Sequence, residues 1–569
     1  MYVSLAVVWT AAFLWLHFRE TGAKGLPAWG ERMGLFALLA SAAFVFFAYV
    51  FPFKGFERAF PIDDSYITLT AARNVAERNL LAVNPDAPLC GVTSPLHATL
   101  TGLLGKLLGV EIAVRVIGLI GYLALAWGMV VWARQLGARF ATALGIAFVI
   151  VLCGPLTFGA LNGMETTPFA ALLIWSFVFY EKSEERPRLL FAMGALAGLA
   201  ILTRPEGWFL AAALFATKLL RHRREPATIV KILGAGLVAG LVVSPYLVAN
   251  HALLGQWFPP TVSAKKHFFH EWCRPPILRG IAVCLSWTLL FGPTLLIAPL
   301  LLFAGVWWRR VYPPLFLGIF YAAYAHEFPG ALGHYWGRYQ HPLMPIVFIG
   351  LALGAARLHE RVKANGPAAA KVLGALLAAF FAATAAVGAN VQDAAYRHAL
   401  AMANGYLSAV SKWVRWHSAP GDTVGTVDIG FLYYFGERKV LDLVGLADPE
   451  VAKIYAQNND PECKTGARFD DIYELVQRRR PKILYMVPKI DKLYLQLFKT
   501  DGGRHMRDEF SLQSTLAAQG SRFMTRLADK RAALMGPRDD GKSPLTIMNY
   551  HFYLCDWDHD LRGLTWDRP

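Results

Sequence analysis

Apolar runs of membrane-crossing character recur through the first two-thirds of this 569-residue chain and then stop. They are Val3–His17, Gly34–Pro52, Val114–Trp132, Ala141–Phe158, Pro168–Tyr180, Leu189–Thr203, Trp208–Leu220, Ile229–Ala249, Ile281–Trp307, Tyr312–Ala325, Leu343–Ala356 and Val372–Val387. The hydrocarbon core takes about 20 apolar residues per helix, so the pattern predicts about twelve spans, several of them short. The polar stretches between them are not alike. Basic clusters sit at Arg134 and Arg139, at Lys218, Arg221, Arg223, Arg224 and Lys231, at Arg309 and Arg310, and at Arg357, Arg361, Lys363 and Lys371. All four fall on alternate connections, and Lys and Arg near span ends are retained in the cytoplasm. The loop at Asp63, the Asn250–Arg279 loop, the Ala325–Pro342 loop and the tail after Asn390 are then external, and so is the N-terminus. Val3–His17 has some signal-like character, but Arg19-Glu20 follows it rather than a small-residue cleavage site.

Beyond residue 390 the period changes. Asp422–Phe435, Lys439–Val444 and Pro481–Val487 are short, apolar and turn-bounded, as strands are. Phe469–Arg480 reads as an amphipathic helix leading into the last of them, and Asp501–Gly503 and Gly536–Lys542 as loops. The expected fold class is a polytopic α-helical membrane protein with a C-terminal soluble α/β domain. The expected division is 1–390 for the membrane part and 391–569 for the external α/β domain.

Composition agrees: 55% of residues are hydrophobic and 17% charged, with mean hydropathy +0.38. Soluble domains carry about a quarter charged residues. The formal charge of +16 follows from the basic loops, not from a nucleic-acid surface. An external tail is oxidising, so Cys463 and Cys555 are candidates for a disulfide, with Cys90–Cys273 a weaker pairing. Cys153 and Cys284 read as packing residues. Six unpaired thiols remain the alternative.

Candidate chemistry gathers on the external side. Pro61-Ile62-Asp63-Asp64-Ser65-Tyr66 follows a span directly, and acids at a membrane boundary are costly to place there. Ser65–Leu80 has helical apolar spacing and reads as an interfacial helix. Asp63 and Asp64 are a general-base pair on one reading and a helix cap with a solvated neighbour on the other. Lys265 and Lys266, and Arg204 beside Glu206, suit a phosphate; lipid-headgroup attraction and a snorkelling Arg204–Glu206 pair are the bland alternatives. His334 to His341 mixes aromatic rings with Arg338, which suits a sugar phosphate or an aromatic belt. Glu165 closes another external span end.

In this order the motifs resemble those of the GT-C superfamily of polyprenyl-phosphate-sugar glycosyltransferases. Within it the chain is most similar to bacterial terminal β-(1→2)-arabinofuranosyltransferases. The matching stretches are Asp63-Asp64, Arg73-Asn74, Asn84 and Gly91-Val92-Thr93-Ser94. They continue with Gly163-Met164-Glu165, Arg204-Pro205-Glu206, Gly255 through Pro259, Thr261, Ala264-Lys265 and Gly337-Arg338-Tyr339. Asp428-Ile429-Gly430 and Asp442 through Leu446 resemble tails of related enzymes. Departures are Leu254 for an aromatic, Pro260 for Asn or Ser, and His97 for an aromatic.

The resemblance implies an inverting transferase of the inner membrane with its site outside. Its donor is a polyprenyl-phosphate sugar, and its acceptor is a hydroxyl of a surface glycan or glycoprotein. Asp63 would be the base and Asp64 its tuner, with Arg204, Lys265 and Arg338 stabilising the leaving phosphate. Arg73, Asn84, Glu165, Glu206, Lys266, His334 and His341 are further candidate substrate contacts. No cofactor is required, although a divalent cation could sit on the acid pair. The competing readings are a lipid-sugar flippase and an oligosaccharide ligase using a diphosphate donor. A flippase should show mid-membrane charges and inverted halves, whereas these spans carry few central charges and the sequence shows no repeat.

Overall fold

The computed structural model describes residues 28–51, 59–152, 154–269, 271–291, 310–401, 403, 408–457, 469–486, 506–515 and 546–555. Each apolar run within them is helical. They form α1 (Ala28–Val50), then α2 (Asp63–Arg78) and α3 (Pro95–Leu108) in the first loop, then α4 (Val110–Gln135), α5 (Phe140–Leu152) and α6 (Pro155–Leu161). There follow α7 (Thr166–Lys182), α8 (Leu189–Thr203), α9 (Gly207–Arg221), α10 (Pro226–Leu254), α11 (Pro260–Phe269) and α12 (Pro276–Phe291). The series closes with α13 (Tyr312–Glu327), α14 (Met344–Asn365) and α15 (Pro367–Ala401). Val3–His17 and residues 292–309 lie outside the described residues.

The chain is a multi-pass membrane protein. Among the described residues four helices are long and apolar enough to cross a bilayer, and five if α5 and α6 count as one bent span. Val3–His17 and most of Ile281–Trp307 are not among those residues, and several other expected runs form helices shorter than a full crossing. α8 stops after 15 residues at Arg204, and α7 begins only after Glu165. Polar residues at these ends face one shared cavity instead of lipid. The 60° bend between α5 and α6 falls at Gly154, whose φ is +101°. A Cβ there would lie 2.6 Å from Gln392 on α15.

The bundle has two unlike ends. At one, Arg310 donates to Glu181 (2.9 Å) and to the carbonyl of Gln135 (3.1 Å), Tyr312 donates to Glu181 (2.7 Å), and Trp132 donates to Tyr312 (3.0 Å). Lys218 pairs with Glu184 beside them. At the other end lie Asp64, Glu165, Arg204, Lys265 and Arg338. α7 runs from one end to the other, about 25 Å at 1.5 Å per residue. Three of the four basic connections, at Gln135, Lys218 and Arg310, thus meet at the first end.

The tail starts with α16 (Ser408–His417) and forms a five-stranded sheet of order β2-β1-β3-β5-β4. β1 (Thr423–Thr426) is parallel to both β2 (Lys439–Asp442) and β3 (Ile483–Met486). β4 (Met506–Thr515) and β5 (Thr546–Cys555) add an antiparallel hairpin. α17 (Pro449–Gln457) and α18 (Phe469–Arg479) complete the α/β unit. The expected strand over Asp422–Phe435 ends at Thr426; its second half is instead a helical turn, Leu432–Gly436, seated on α2. That turn buries Tyr434 in a cluster with Tyr66 and Leu69 of α2, while Phe435 stays exposed.

α2 is likewise no free interfacial helix. Tyr66, Leu69, Ala72 and Val75 are buried between α3 and the tail. Cys90 is buried and free while Cys273 is disulfide-bonded, so the Cys90–Cys273 bond does not form. The expected Cys463–Cys555 bond and the two tail loops fall outside the described residues.

α8 and α10 meet so closely at Gly194 that a Cβ there would lie 2.2 Å from the carbonyl of Ala235. Small residues let membrane helices approach backbone to backbone. Gly194→Ala should cost about 1–3 kcal/mol by overpacking. The check is a lowered melting temperature of detergent-purified protein.

Candidate active site at the join of the two parts

A cavity of about 750 Å³ opens where the second end of the bundle meets the tail. Its wall combines Asp64 and Thr68 of α2, Thr93 and Ser94 before α3, Glu165, Arg204, Glu206, Lys265, Arg338, Tyr339 and the tail's Leu446. One flank is apolar, with Phe209, Trp257, Phe258 and Phe328. Trp257 and Phe258 are 52% and 59% exposed, which places aromatic rings at the mouth.

Two buried guanidinium groups share this wall and are treated differently. Arg204 donates from Nη1 to Glu165 (2.8 Å), from Nη2 to Glu206 (2.7 Å) and from Nε to Glu206 (3.2 Å). Tyr324 adds a bond to Glu206 at 2.7 Å. The group is closed, with two carboxylates to one cation. Arg338 pairs through Nη2 with Asp64 and reaches the Tyr339 hydroxyl at 3.2 Å. Its Nε and Nη1 are buried with no partner. Lys265 donates to Tyr339 at 3.3 Å. Here the ratio is reversed, with two cations to one carboxylate.

The titration behaviour follows. Burial would raise the Asp64 carboxyl, but Arg338 and then Lys265 hold it below the usual carboxylate range. Burial would likewise raise the Tyr339 hydroxyl, and the Lys265 and Arg338 charges outweigh it and pull it down. His334 is lowered to about 4 by burial and then by Arg338, so its ring is neutral at pH 7.

The sequence profile described as dolichyl-phosphate-mannose-protein mannosyltransferase matches residues 92–248, and a domain of unknown function (DUF8728) matches residues 389–535. No curated protein matches the chain. Among solved structures, ArnT from Cupriavidus metallidurans bound to undecaprenyl phosphate is 15% identical over 82% of this chain and 94% of its own, with a TM-score of 0.50. Its apo form gives 14% over the same shares and a TM-score of 0.51. The Archaeoglobus fulgidus oligosaccharyltransferase in complex with Zn and sulfate is 13% identical over 84% and 72%, at 0.47.

The chain has the GT-C glycosyltransferase fold.

On this GT-C scaffold the residues singled out in the sequence separate into two sets. Asp64, Glu165, Arg204, Glu206, Lys265, Lys266 and Arg338 line the cavity. Lys266 lies at its rim, paired with Glu327 at 2.8 Å. Asp63, Arg73, Asn84, His334 and His341 do not line it. Asp63 is not the N-cap of α2 either; Ile62 holds that position. Its carboxylate faces the tail, where the backbone N–H groups of Gly430 and Phe431 donate to it, each at 2.9 Å. Burial raises this carboxyl well above its ordinary value, with Asp428 and Asp64 adding to the effect. Arg73 donates to the carbonyls of Tyr434 (2.9 Å) and Tyr433 (3.1 Å). Asn84 accepts from the N–H of Asp86 in a local turn. His341 is buried against the Trp336 carbonyl (3.2 Å). Among the described residues no three His, Cys, Asp or Glu side chains converge as a metal site.

Sequence reasoning gave no role to Tyr339 and missed Tyr324 altogether. Tyr339 stood inside a matching motif. Tyr324 lies within an apolar span, where nothing in sequence marks a hydroxyl as a partner for Glu206.

Removing Arg204 would leave two buried carboxylates unpaired. Breaking a buried pair this way costs about 3–5 kcal/mol. Arg204→Ala should therefore lower thermal stability sharply, whereas Lys265→Ala should leave it near wild type. Scanning fluorimetry of the two variants checks the contrast.

Proposed function

We propose that this GT-C chain is an inverting transferase that moves a sugar from a polyprenyl monophosphate to a hydroxyl of a cell-surface glycan or glycoprotein. The observation that carries this is the half-satisfied Arg338. Two of its nitrogens are buried without partners beside Lys265, so the wall holds an excess positive charge and open donors. A buried unpaired donor is costly. A phosphate completes the set, and a planar guanidinium fits it bidentately. The apolar flank at Phe209, Trp257 and Phe258 suits the adjoining isoprenoid.

Of the adjacent acids Asp63 and Asp64, Asp64 is the one on the cavity wall, and Glu165 and Glu206 there are paired with Arg204, so we assign Asp64 the proton. Arg338 and Lys265 by themselves suppress its basicity. Once phosphate engages both cations, Asp64 is released to accept the acceptor's hydroxyl proton. The hydroxyl oxygen then bonds the anomeric carbon from the face opposite the phosphate. The bond from that carbon to the phosphate oxygen breaks, and its electron pair leaves with the polyprenyl phosphate. Arg338 and Lys265 stabilise the charge that develops there. The resemblance of motifs favours arabinofuranose as the sugar. ArnT bound to undecaprenyl phosphate, a structure with this fold, favours a lipid monophosphate. The convergence of basic connections at the opposite end favours a periplasmic site at the bacterial inner membrane.

Purified protein should transfer radiolabelled arabinose from its polyprenyl monophosphate to an arabinan acceptor. Activity with a polyprenyl-diphosphate glycan instead would overturn the donor assignment and favour a ligase. Asp64→Asn should reduce turnover at least about 100-fold, the usual share of a general base. Arg338→Lys should weaken donor use, because a point charge cannot replace a fork.

A further inference from the structure

We infer that Asp63 is a positioning residue: with Arg73 it clamps the tail onto α2 and thereby sets the wall that carries Asp64. The clamp holds one short element from both sides. The Asp63 carboxylate takes the N–H groups of Gly430 and Phe431, which lead into the turn Leu432–Gly436. The Arg73 guanidinium takes two carbonyls of that same turn, Tyr433 and Tyr434. Acid at the donor end and base at the acceptor end match the turn's backbone polarity. Both residues lie on α2, about 15 Å apart along its axis at 1.5 Å per residue.

Between the two charges the fit is close. Tyr66 packs on Phe431 with ring centroids 4.2 Å apart and on Tyr434 at 5.4 Å. At Gly430 a Cβ would lie 2.0 Å from the Asp63 carbonyl oxygen, so only glycine lets the two backbones approach. A second contact lies on the cavity side. Gly91, with φ +83°, sits where a Cβ would come within 3.0 Å of Ala447 in the tail. The neighbouring Leu446 then forms part of the cavity wall. The tail is thus a wall of the site, and Asp63, one residue before Asp64, fixes α2 against it.

The catalytic consequence rests on the transferase reading above; the clamp itself does not. Hydrogen–deuterium exchange of the full chain in detergent reads the clamp without any substrate. Asp63→Asn retains one acceptor oxygen but presents an amide donor where the second N–H points. Arg73→Ala removes the other jaw, outside the cavity. Each should raise exchange in the peptide spanning 428–436 at least tenfold. The double variant should add little, since removing either jaw releases the same element. In transfer assays both variants should lower kcat about tenfold or more while KM for the lipid donor stays within about twofold, because Lys265 and Arg338 remain.

Loss of turnover in Asp63→Asn with unchanged exchange, and a near-normal Arg73→Ala, would overturn the clamp and make Asp63 the base. If Asp63→Asn does not fold, Gly430→Ala and Arg73→Ala carry the test. Gly430→Ala keeps both charges and blocks the approach, so unchanged exchange in both variants would equally overturn the clamp. If no donor supports transfer while exchange rises as stated, the transferase reading fails and the clamp stands.

Discussion

A buried charge must find partners, and the junction between the membrane bundle and the tail is built around that requirement. α7, α8 and α14 bring ionisable groups to one end of the bundle, where water is scarce. Each group left without a partner there costs free energy. Most are therefore closed off. Arg204 is satisfied by Glu165 and Glu206, and Asp63 by two backbone N–H groups of the tail. Arg338 is less complete. It has one carboxylate partner and two buried nitrogens with none.

That difference separates framework from chemistry. Arg204 and Arg338 are the same residue type, equally buried, on the same cavity wall. Charge balance distinguishes them. Every nitrogen of Arg204 is bound to a carboxylate, and two negative charges offset its one positive charge. A guanidinium held by a single carboxylate, with a lysine beside it, has both the charge and the geometry for an anion. The adjacent acids differ in the same way. Asp64 is exposed to the cavity and lies under two cations, while Asp63 is turned away and occupied by the tail.

The tail is consequently part of the site. Its Leu446 lines the cavity, and its turn at Leu432–Gly436 is the surface against which α2 is packed. α2 looks like a membrane-surface helix in sequence because its apolar positions recur with helical spacing. Those positions bury against α3 and the tail, and apolar spacing alone cannot distinguish lipid from protein as the covering partner.

By itself the sequence determined the class of this protein. Twelve apolar runs and alternate basic connections marked a polytopic bundle with two unlike ends, and the short apolar segments Asp422–Phe435, Lys439–Val444 and Pro481–Val487 marked a small α/β unit, because hydrophobic period is a local property. It also marked Asp64, Glu165, Arg204, Glu206, Lys265 and Arg338, since charged residues at span ends are conspicuous wherever they point. Only the tertiary structure decided which of them face the cavity. Asp63 and Asp64 are neighbours with one chemistry in sequence, yet about 100° of helical rotation sends one to the tail and the other to the cavity. Arg73 looked like a substrate contact, and its partners, the Tyr433 and Tyr434 carbonyls, lie more than 350 positions away. Such partners are chosen by how the two parts of the chain dock, and no local pattern records that.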